Sequence, residues 1–171
     1  MNQKRNQILG FAAGFVCLTL LDQWAKGLAV RFLMGNSPYV IWEGVFELFY
    51  SENRGAAFGM LQGRQTLFLL IALCVFAVIA YAMVKLPVSG RFVPLKLCMM
   101  AIAAGAAGNL IDRVSQGYVV DFLYFKLIDF PIFNVADCYV TVATAVMMAL
   151  FLWYYHDEEF ELLFSGRKEK V

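Results

Sequence analysis

The chain has 171 residues and a formal net charge of +1 at pH 7, and 61% of its residues are hydrophobic. Soluble domains are typically about 45–50% apolar, so a soluble fold of this length could not bury the excess, and lipid is the expected solvent. No block of basic residues suggests a nucleic-acid partner. The length predicts one domain, residues 1–171.

Four apolar segments have about the length that a helix needs to cross a bilayer. The first covers residues 8–28 and contains Asp22 and Lys26. No small-residue cleavage site follows it, so we expect a retained helix rather than a removed secretory signal. The other spans are expected at residues 66–84, 95–111 and 138–155. The third span is rich in Ala and Gly, which is typical of helices that pack closely together.

The connections after the first and third spans contain alternating and aromatic runs that are typical of short strands. These runs lie at residues 39–42, 45–50 and 118–125. Open sheet edges are unstable in lipid, so the strands are expected to form a small platform on one face of the membrane. Residues 55–59 predict a tight loop or short helix near that platform.

The distribution of lysine and arginine indicates an orientation. With four spans both termini lie on one side. That side carries Lys4, Arg5, Lys85, Arg91, Lys96, Arg167, Lys168 and Lys170, and the other side carries Lys26, Arg31, Arg54, Arg64, Arg113 and Lys126. The excess is modest and favours cytoplasmic termini. The expected fold is therefore an α-helical membrane protein with four transmembrane helices, a small extracytoplasmic β platform, and a loop or short helix over the site described next.

Amides and ionisable side chains cluster at one end of the spans, although a charge at the centre of a membrane helix costs about 2.5–3.5 kcal/mol. The cluster comprises Asp22, Lys26, Asn53, Arg54, Asn109, Asp112, Arg113, Asp121, Asn134 and Asp137. Each residue alone has an ordinary interpretation as a helix cap or an ion pair. These residues come from several separate segments of the chain and are expected at the same depth in the membrane. The pattern therefore favours a functional site.

The residue types limit the chemistry that this cluster could perform. Serine or cysteine hydrolysis needs a histidine base, but the only histidine, His156, follows the last span. The H-E-x-x-H pattern of zinc peptidases is absent, and the cysteines lack the spacing of a zinc or disulfide framework. Two carboxylates that share a proton could activate water without a metal or cofactor. Spacing alone leaves Asp112, Asp121 and Asp137 open for this role.

Five motifs resemble, in order, those of the lipoprotein signal peptidase family, the prolipoprotein-processing aspartic peptidases called signal peptidase II. They are DQWAK (22–26), NRGAAFG (53–59), GAAGNLIDR (105–113), VVDF (119–122) and FPIFNVAD (130–137). The resemblance implies that Asp121 and Asp137 form the catalytic pair. It also implies a location in the bacterial cytoplasmic (inner) membrane, with the site near the outer face.

The resemblance further implies a substrate and the roles of other residues. The substrate would be a membrane-embedded precursor whose lipobox cysteine carries a diacylglyceryl group, and cleavage would fall just before that cysteine. Residues that bind the substrate or support the site would be Asn53, Asn109, Arg113, Asn134, Asp112, Asp22, Lys26 and Gly105. Other expected partners are membrane lipid and cyclic peptide inhibitors such as globomycin, and the chain is expected to act as a monomer.

Two rival classes of protein share some of these features. A small ion- or proton-conducting transporter also carries buried Asp, Arg and Lys, but it needs polar residues through the whole membrane depth, and the second span has almost none. A structural lipid-binding or assembly factor would tolerate Asp→Asn changes. Cleavage of a lipid-modified precursor would separate the peptidase from both.

Overall fold

The computed structural model describes residues 2–55, 64–156 and 159. Within these residues, four helices are long and apolar enough to cross a membrane, which confirms the predicted spans. They are α1 (Asn2–Leu33), α2 (Gln65–Lys85), α3 (Val93–Gln116) and α4 (Val135–Ala149), the last continuing as a π-helical segment, Leu150–Tyr154. Apart from Gly55, the loop or short helix predicted at residues 55–59 lies outside the described residues.

The helices extend beyond the apolar runs that predicted them. Helix α1 continues through Asp22 and Lys26, whose side chains are buried inside the bundle. The end of α3 is set by Gly117, whose φ of 84° is left-handed. The start of α4 precedes its apolar run because Asn134 and Asp137 form a capping box, in which each side chain accepts a hydrogen bond from the other residue's backbone N–H.

A three-stranded antiparallel sheet lies at the end of the bundle where α3 ends and α4 begins. Its strands, in order, are β1 (Tyr39–Trp42), β2 (Phe46–Asn53) and β3 (Val119–Phe125), which confirms the predicted small sheet. Ser51 pairs with Asp121, and Asn53 pairs with Val119. This register brings the end of β2, with Asn53, beside Asp121.

Helix α3 is the centre of the bundle, since it packs against α1, α2 and α4. Its glycines permit this close packing. A Cβ atom on Gly105 would lie 2.5 Å from the backbone oxygen of Ala136, and one on Gly108 would collide with the carboxylate of Asp22. The absence of side chains at Gly105 and Gly108 therefore lets α4 and α1 approach α3 at the level of the polar cluster.

Candidate active site

Two carboxylates lie where β3 passes the start of α4. Asp121 is only 2% exposed; its Oδ2 accepts a hydrogen bond from Asn53 Nδ2 at 2.9 Å, and its Oδ1 accepts one from Asn134 Nδ2 at 2.6 Å. Asp137 lies in the first turn of α4, and its Oδ1 accepts a hydrogen bond from Asn109 Nδ2 at 2.8 Å. Asparagine amides from β2, α3 and the start of α4 therefore hold both carboxylates.

Asn134 joins the two carboxylates directly. Besides the bond to Asp121, its Nδ2 donates to Asn109 Oδ1 at 3.1 Å. Its Oδ1 accepts from the backbone N–H of Asp137 at 3.0 Å, and its own N–H donates to Asp137 Oδ2 at 3.2 Å. The resemblance implies that Asn134 supports the site or contacts substrate. Because its side chain is fully buried and bonded within the protein, the geometry favours a positioning role.

The surroundings of Asp121 favour its protonated form. Burial, and next the nearby charge of Asp137, raise the pKa of Asp121 from 3.8 to about 7, against the opposing hydrogen bonds from Asn53 and Asn134 and the charge of Lys26. The negative charge of Asp137 disfavours a second negative charge on Asp121. This arrangement suits a carboxylate pair that shares one proton near neutral pH.

Lys26 lies behind the pair, with a side chain that is 4% exposed. Its Nζ forms ion pairs with Asp22 at 2.9 Å and Asp112 at 3.0 Å, and it donates to Asn109 Oδ1 at 2.9 Å. The last bond orients the Asn109 amide so that its NH₂ group faces the carboxylate on α4. Asp22 Oδ1 accepts the backbone N–H of Ala136 at 2.9 Å. The ion cluster thus ties α1 to α3 and to the start of α4.

Asp112, a third candidate by spacing alone, belongs to this supporting cluster. Its Oδ2 pairs with Lys26 and accepts the backbone N–H of Val120 at 3.1 Å, while its Oδ1 accepts from Gln23 Nε2 at 2.9 Å. Asp112 therefore joins α1 and α3 to β3 and lies behind the catalytic candidates. Gln23 is not among the residues expected from the sequence. An amide beside Asp22 in an apolar span was the available signal.

An open cavity of about 770 Å³ lies in front of the two aspartates. Asn53, Asn109 and Arg113 line it together with Asp121 and Asp137. Most of the remaining wall is apolar or small, and Glu52, in β2, and Arg54, just after it, add charged side chains; the other lining residues are Ser51, Phe68, Val119, Phe130, Pro131, Ile132, Phe133, Cys138, Thr141 and Val142. A few convergent polar groups in a mainly apolar wall are typical of a ligand site. Among the described residues, no group of three or more His, Cys, Asp or Glu side chains could hold a metal ion.

Arg113 is a cationic side chain in the wall of this cavity. Its Nη2 donates to the Gly55 carbonyl at 2.9 Å, its Nη1 donates to the Asn109 carbonyl at 3.3 Å, and the guanidinium lies 4.2 Å from the centroid of the Phe68 ring. A guanidinium has five N–H donors, so these contacts leave donors for a ligand. The side chain therefore fits a role in binding carbonyl or carboxylate groups.

Comparison with known proteins identifies the family. A family model described as signal peptidase (SPase) II matches residues 14–153, which is most of the chain. The chain belongs to the signal peptidase II family. The lipoprotein signal peptidase of Caldanaerobacter subterraneus subsp. tengcongensis is 43% identical over 137 residues, covering 80% of this chain and 91% of that protein. That of Clostridioides difficile is 40% identical over 141 residues, covering 81% and 92%.

Solved structures give the same result for the fold. A bacterial membrane enzyme determined by the in meso method at 2.3 Å resolution has a TM-score of 0.75 at 26% identity, covering 96% of this chain and 94% of that chain. Another, at 1.9 Å resolution, has a TM-score of 0.73 at 26% identity, covering 86% and 96%. The chain thus shares its multi-pass fold with bacterial membrane enzymes. Family membership makes the chain a peptidase that removes signal peptides and gives the transporter no support.

Proposed function

We propose that this signal peptidase II is an aspartic endopeptidase that removes the signal peptide from diacylglyceryl-modified prolipoproteins, cutting just before the lipidated cysteine. The main support is the pair of carboxylates, Asp121 and Asp137, which Asn134 joins on the wall of an open cavity within a membrane bundle. Similar proteins are named lipoprotein signal peptidases, which supports lipoprotein precursors as the substrates.

In the proposed mechanism the pair begins with one proton, on Asp121, whose pKa of about 7 suits it to this state. Asp137 takes a proton from water as the water oxygen attacks the scissile carbonyl carbon, and Asp121 gives its proton to the carbonyl oxygen. A C–O bond forms and a gem-diol results. The C–N bond then breaks as Asp137 protonates the leaving nitrogen and Asp121 recovers a proton from the diol. The pair returns to its starting state, so neither a metal nor a cofactor is required.

Three cavity residues would position the substrate. Asn53 and Asn109 hold the aspartates through hydrogen bonds and also line the cavity, and Arg113 has unused N–H donors. We assign them to the peptide backbone or the lipidated residue around the scissile bond. Asp22, Lys26, Asp112 and Gly105 would act as supports, as would the buried Asn134, which links the two carboxylates.

The proposed location is the bacterial inner membrane, with both termini in the cytoplasm and the site near the outer leaflet. The acyl chains of the substrate would hold its cysteine at the depth of the aspartates, so part of the binding energy would be used for positioning. The apolar part of the cavity wall suits such a substrate. Cyclic peptide inhibitors such as globomycin would occupy the same cavity, and the enzyme would act as a monomer.

The direct test uses purified protein and a precursor whose cysteine carries a diacylglyceryl group. Released signal peptide and the mature lipoprotein would be identified by mass spectrometry, and the expected cut falls immediately before the cysteine. Asp129→Asn is the matched control, since Asp129 is exposed and contacts the Tyr124 hydroxyl at 2.6 Å, away from the pair. Absence of cleavage, or cleavage at another bond, would contradict the proposal.

A further inference from the structure

A second cavity, of about 550 Å³, lies at the opposite end of the bundle from the aspartates. Its wall comes from the start of α1, the end of α2, the α2–α3 connection and the start of α3. Apolar and small groups dominate this wall, including Gly10, Phe11, Val93, Leu97 and Met100. Nothing in the proposed peptidase reaction uses this groove, which opens on the surface of the membrane-spanning helices.

Two lysines give the groove a positive charge. Lys96 lines it and is only 7% exposed, and its Nζ donates to the carbonyl of Pro87 at 2.6 Å. Lys4 lies beside it and donates to the carbonyls of Met83 and Leu86, each at 2.7 Å. The two ammonium groups therefore bind neighbouring backbone carbonyls, those of Leu86 and Pro87. Carbonyl contacts satisfy hydrogen-bond donors but do not neutralise the two charges.

The charges remain uncompensated within the described part of the chain. Among residues 2–55, 64–156 and 159, neither Lys4 nor Lys96 forms an ion pair with a carboxylate. Arg91, at the same end, pairs with Glu159. Basic residues at the cytoplasmic ends of membrane helices attract anionic lipid headgroups, so two lysines beside an apolar groove favour an anionic ligand with an apolar portion.

An unsatisfied amide at the same groove gives a second indication. Gln7 lines the cavity, and both polar atoms of its side chain are buried without a hydrogen-bond partner in the described residues. Buried polar groups are normally hydrogen-bonded, and a rotation of the Gln7 side chain into the groove would let its NH₂ group donate to a phosphate oxygen. The combination of two cations, a free donor and an apolar channel corresponds to the chemistry of a phospholipid.

We propose that this groove binds one anionic phospholipid from the leaflet on the side of the chain termini. The phosphate lies between Lys4 and Lys96 within reach of Gln7, and an acyl chain lies along the apolar wall formed by α1 and α3. The single negative charge of the phosphodiester would offset one of the two positive charges while its oxygens contact both ammonium groups, and the lipid would seal the contact between these helices at the end remote from the catalytic pair. The proposal does not depend on the peptidase mechanism.

The test is lipid binding by the purified full chain in a neutral detergent, measured as the concentration dependence of Tm. Phosphatidylglycerol should raise Tm and phosphatidylcholine with the same acyl chains should not. Each lysine near an anionic lipid contributes roughly a fivefold factor in affinity, so Lys96→Met should weaken phosphatidylglycerol binding by about that factor. Lys85→Met is the charge-matched control, because Lys85 is exposed at the same end and lies outside the groove.

A second variant tests the apolar channel without altering a lysine. A Cβ atom on Gly10 would meet nothing within 4 Å, so Gly10→Leu should fill the groove, weaken phosphatidylglycerol binding and leave the lipid-free protein folded, since leucine favours helix more than glycine does. Gly27→Leu is the control, because a Cβ atom on Gly27 also meets nothing within 4 Å and Gly27 lies outside the groove. The proposal would be overturned if both lipids raised Tm equally, or if a variant and its control lost phosphatidylglycerol binding equally. It would also be overturned if inorganic phosphate alone raised Tm as much as phosphatidylglycerol does.

Discussion

Replacing Asp121 by asparagine should abolish cleavage and should change how stability depends on pH. Asparagine is nearly isosteric with aspartate, but it can neither accept the proton nor donate a carboxylic one. Asp137→Asn should be equally inactive. Because the two carboxylates act as a unit, the double variant should be hardly worse than either single variant.

The magnitude of the pH effect follows from the pKa of Asp121, which is raised from 3.8 to about 7, first by burial and second by the charge of Asp137. A carboxyl group whose pKa is raised by folding makes its full contribution to the free energy of unfolding below about pH 4. This contribution is lost as the pH rises towards 7, because the unfolded chain then releases the proton more readily than the folded one. At about 1.4 kcal/mol for each pH unit, wild type should lose up to ~3 kcal/mol between pH 5 and pH 8. The stability of Asp121→Asn should not show this decrease, because asparagine does not ionise.

A second effect lowers the stability of the variant by the same amount at every pH. Both oxygens of Asp121 accept hydrogen bonds, from Asn53 and Asn134, whereas asparagine offers one acceptor oxygen. The donor that loses its partner destabilises the variant by about 1–3 kcal/mol at every pH. The prediction therefore concerns the difference between the two proteins, which should shift in favour of Asp121→Asn as the pH rises.

The assay is thermal unfolding in detergent at pH 5, 6.5 and 8, together with the rate of precursor cleavage and the binding of a cyclic peptide inhibitor. A relative gain of ~3 kcal/mol corresponds to roughly 6–12 °C in Tm for a chain of this size. Asp129→Asn serves as the control and should keep both the cleavage rate and the pH profile of wild type, since Asp129 is exposed.

Two results would refute this reasoning. Near-normal turnover by Asp121→Asn would show that the pair is wrongly assigned. A Tm difference between Asp121→Asn and wild type that stays constant from pH 5 to pH 8 would show that Asp121 ionises as readily in the fold as in the unfolded chain.

Four further predictions concern the supports, the mechanism, the substrate and the topology. Lys26→Met would leave Asp22 and Asp112 buried without their cation and should destabilise the protein by about 3–5 kcal/mol, so an unchanged Tm would contradict the supporting role. Cleavage should survive strong chelators, and a loss that zinc reverses would indicate metal chemistry. Unlipidated precursor should be cleaved far more slowly than lipidated precursor, and equal turnover would argue against positioning by the acyl chains. Reporter fusions should be cytoplasmic after Arg91 and extracytoplasmic near Asn36, and cytoplasmic activity at Asn36 would exclude the proposed orientation.

The sequence by itself determined the four spans, the three short strands and the gathering of polar residues at one end of the bundle. These features depend on local properties, namely the length of an apolar run, the alternation of side chains along a strand and the high cost of a charge in lipid. Helix ends were less well predicted. The start of α4 is set by the capping box of Asn134 and Asp137, and hydropathy does not register such a contact.

The family resemblance points to Asp121 and Asp137, but only the tertiary structure gives a physical reason to separate them from Asp112, which spacing leaves equivalent. Asp112 is taken up by Lys26, Gln23 and the backbone of Val120, whereas Asp121 and Asp137 line the open cavity. The decisive contacts join distant parts of the chain: Asn53 and Asp121 are 68 residues apart, and Asp22 and Ala136 are 114 apart. Which side chains meet across such separations depends on the packing of α3 against α1 and α4 and on the register of β2 and β3, and no local pattern in the sequence specifies either.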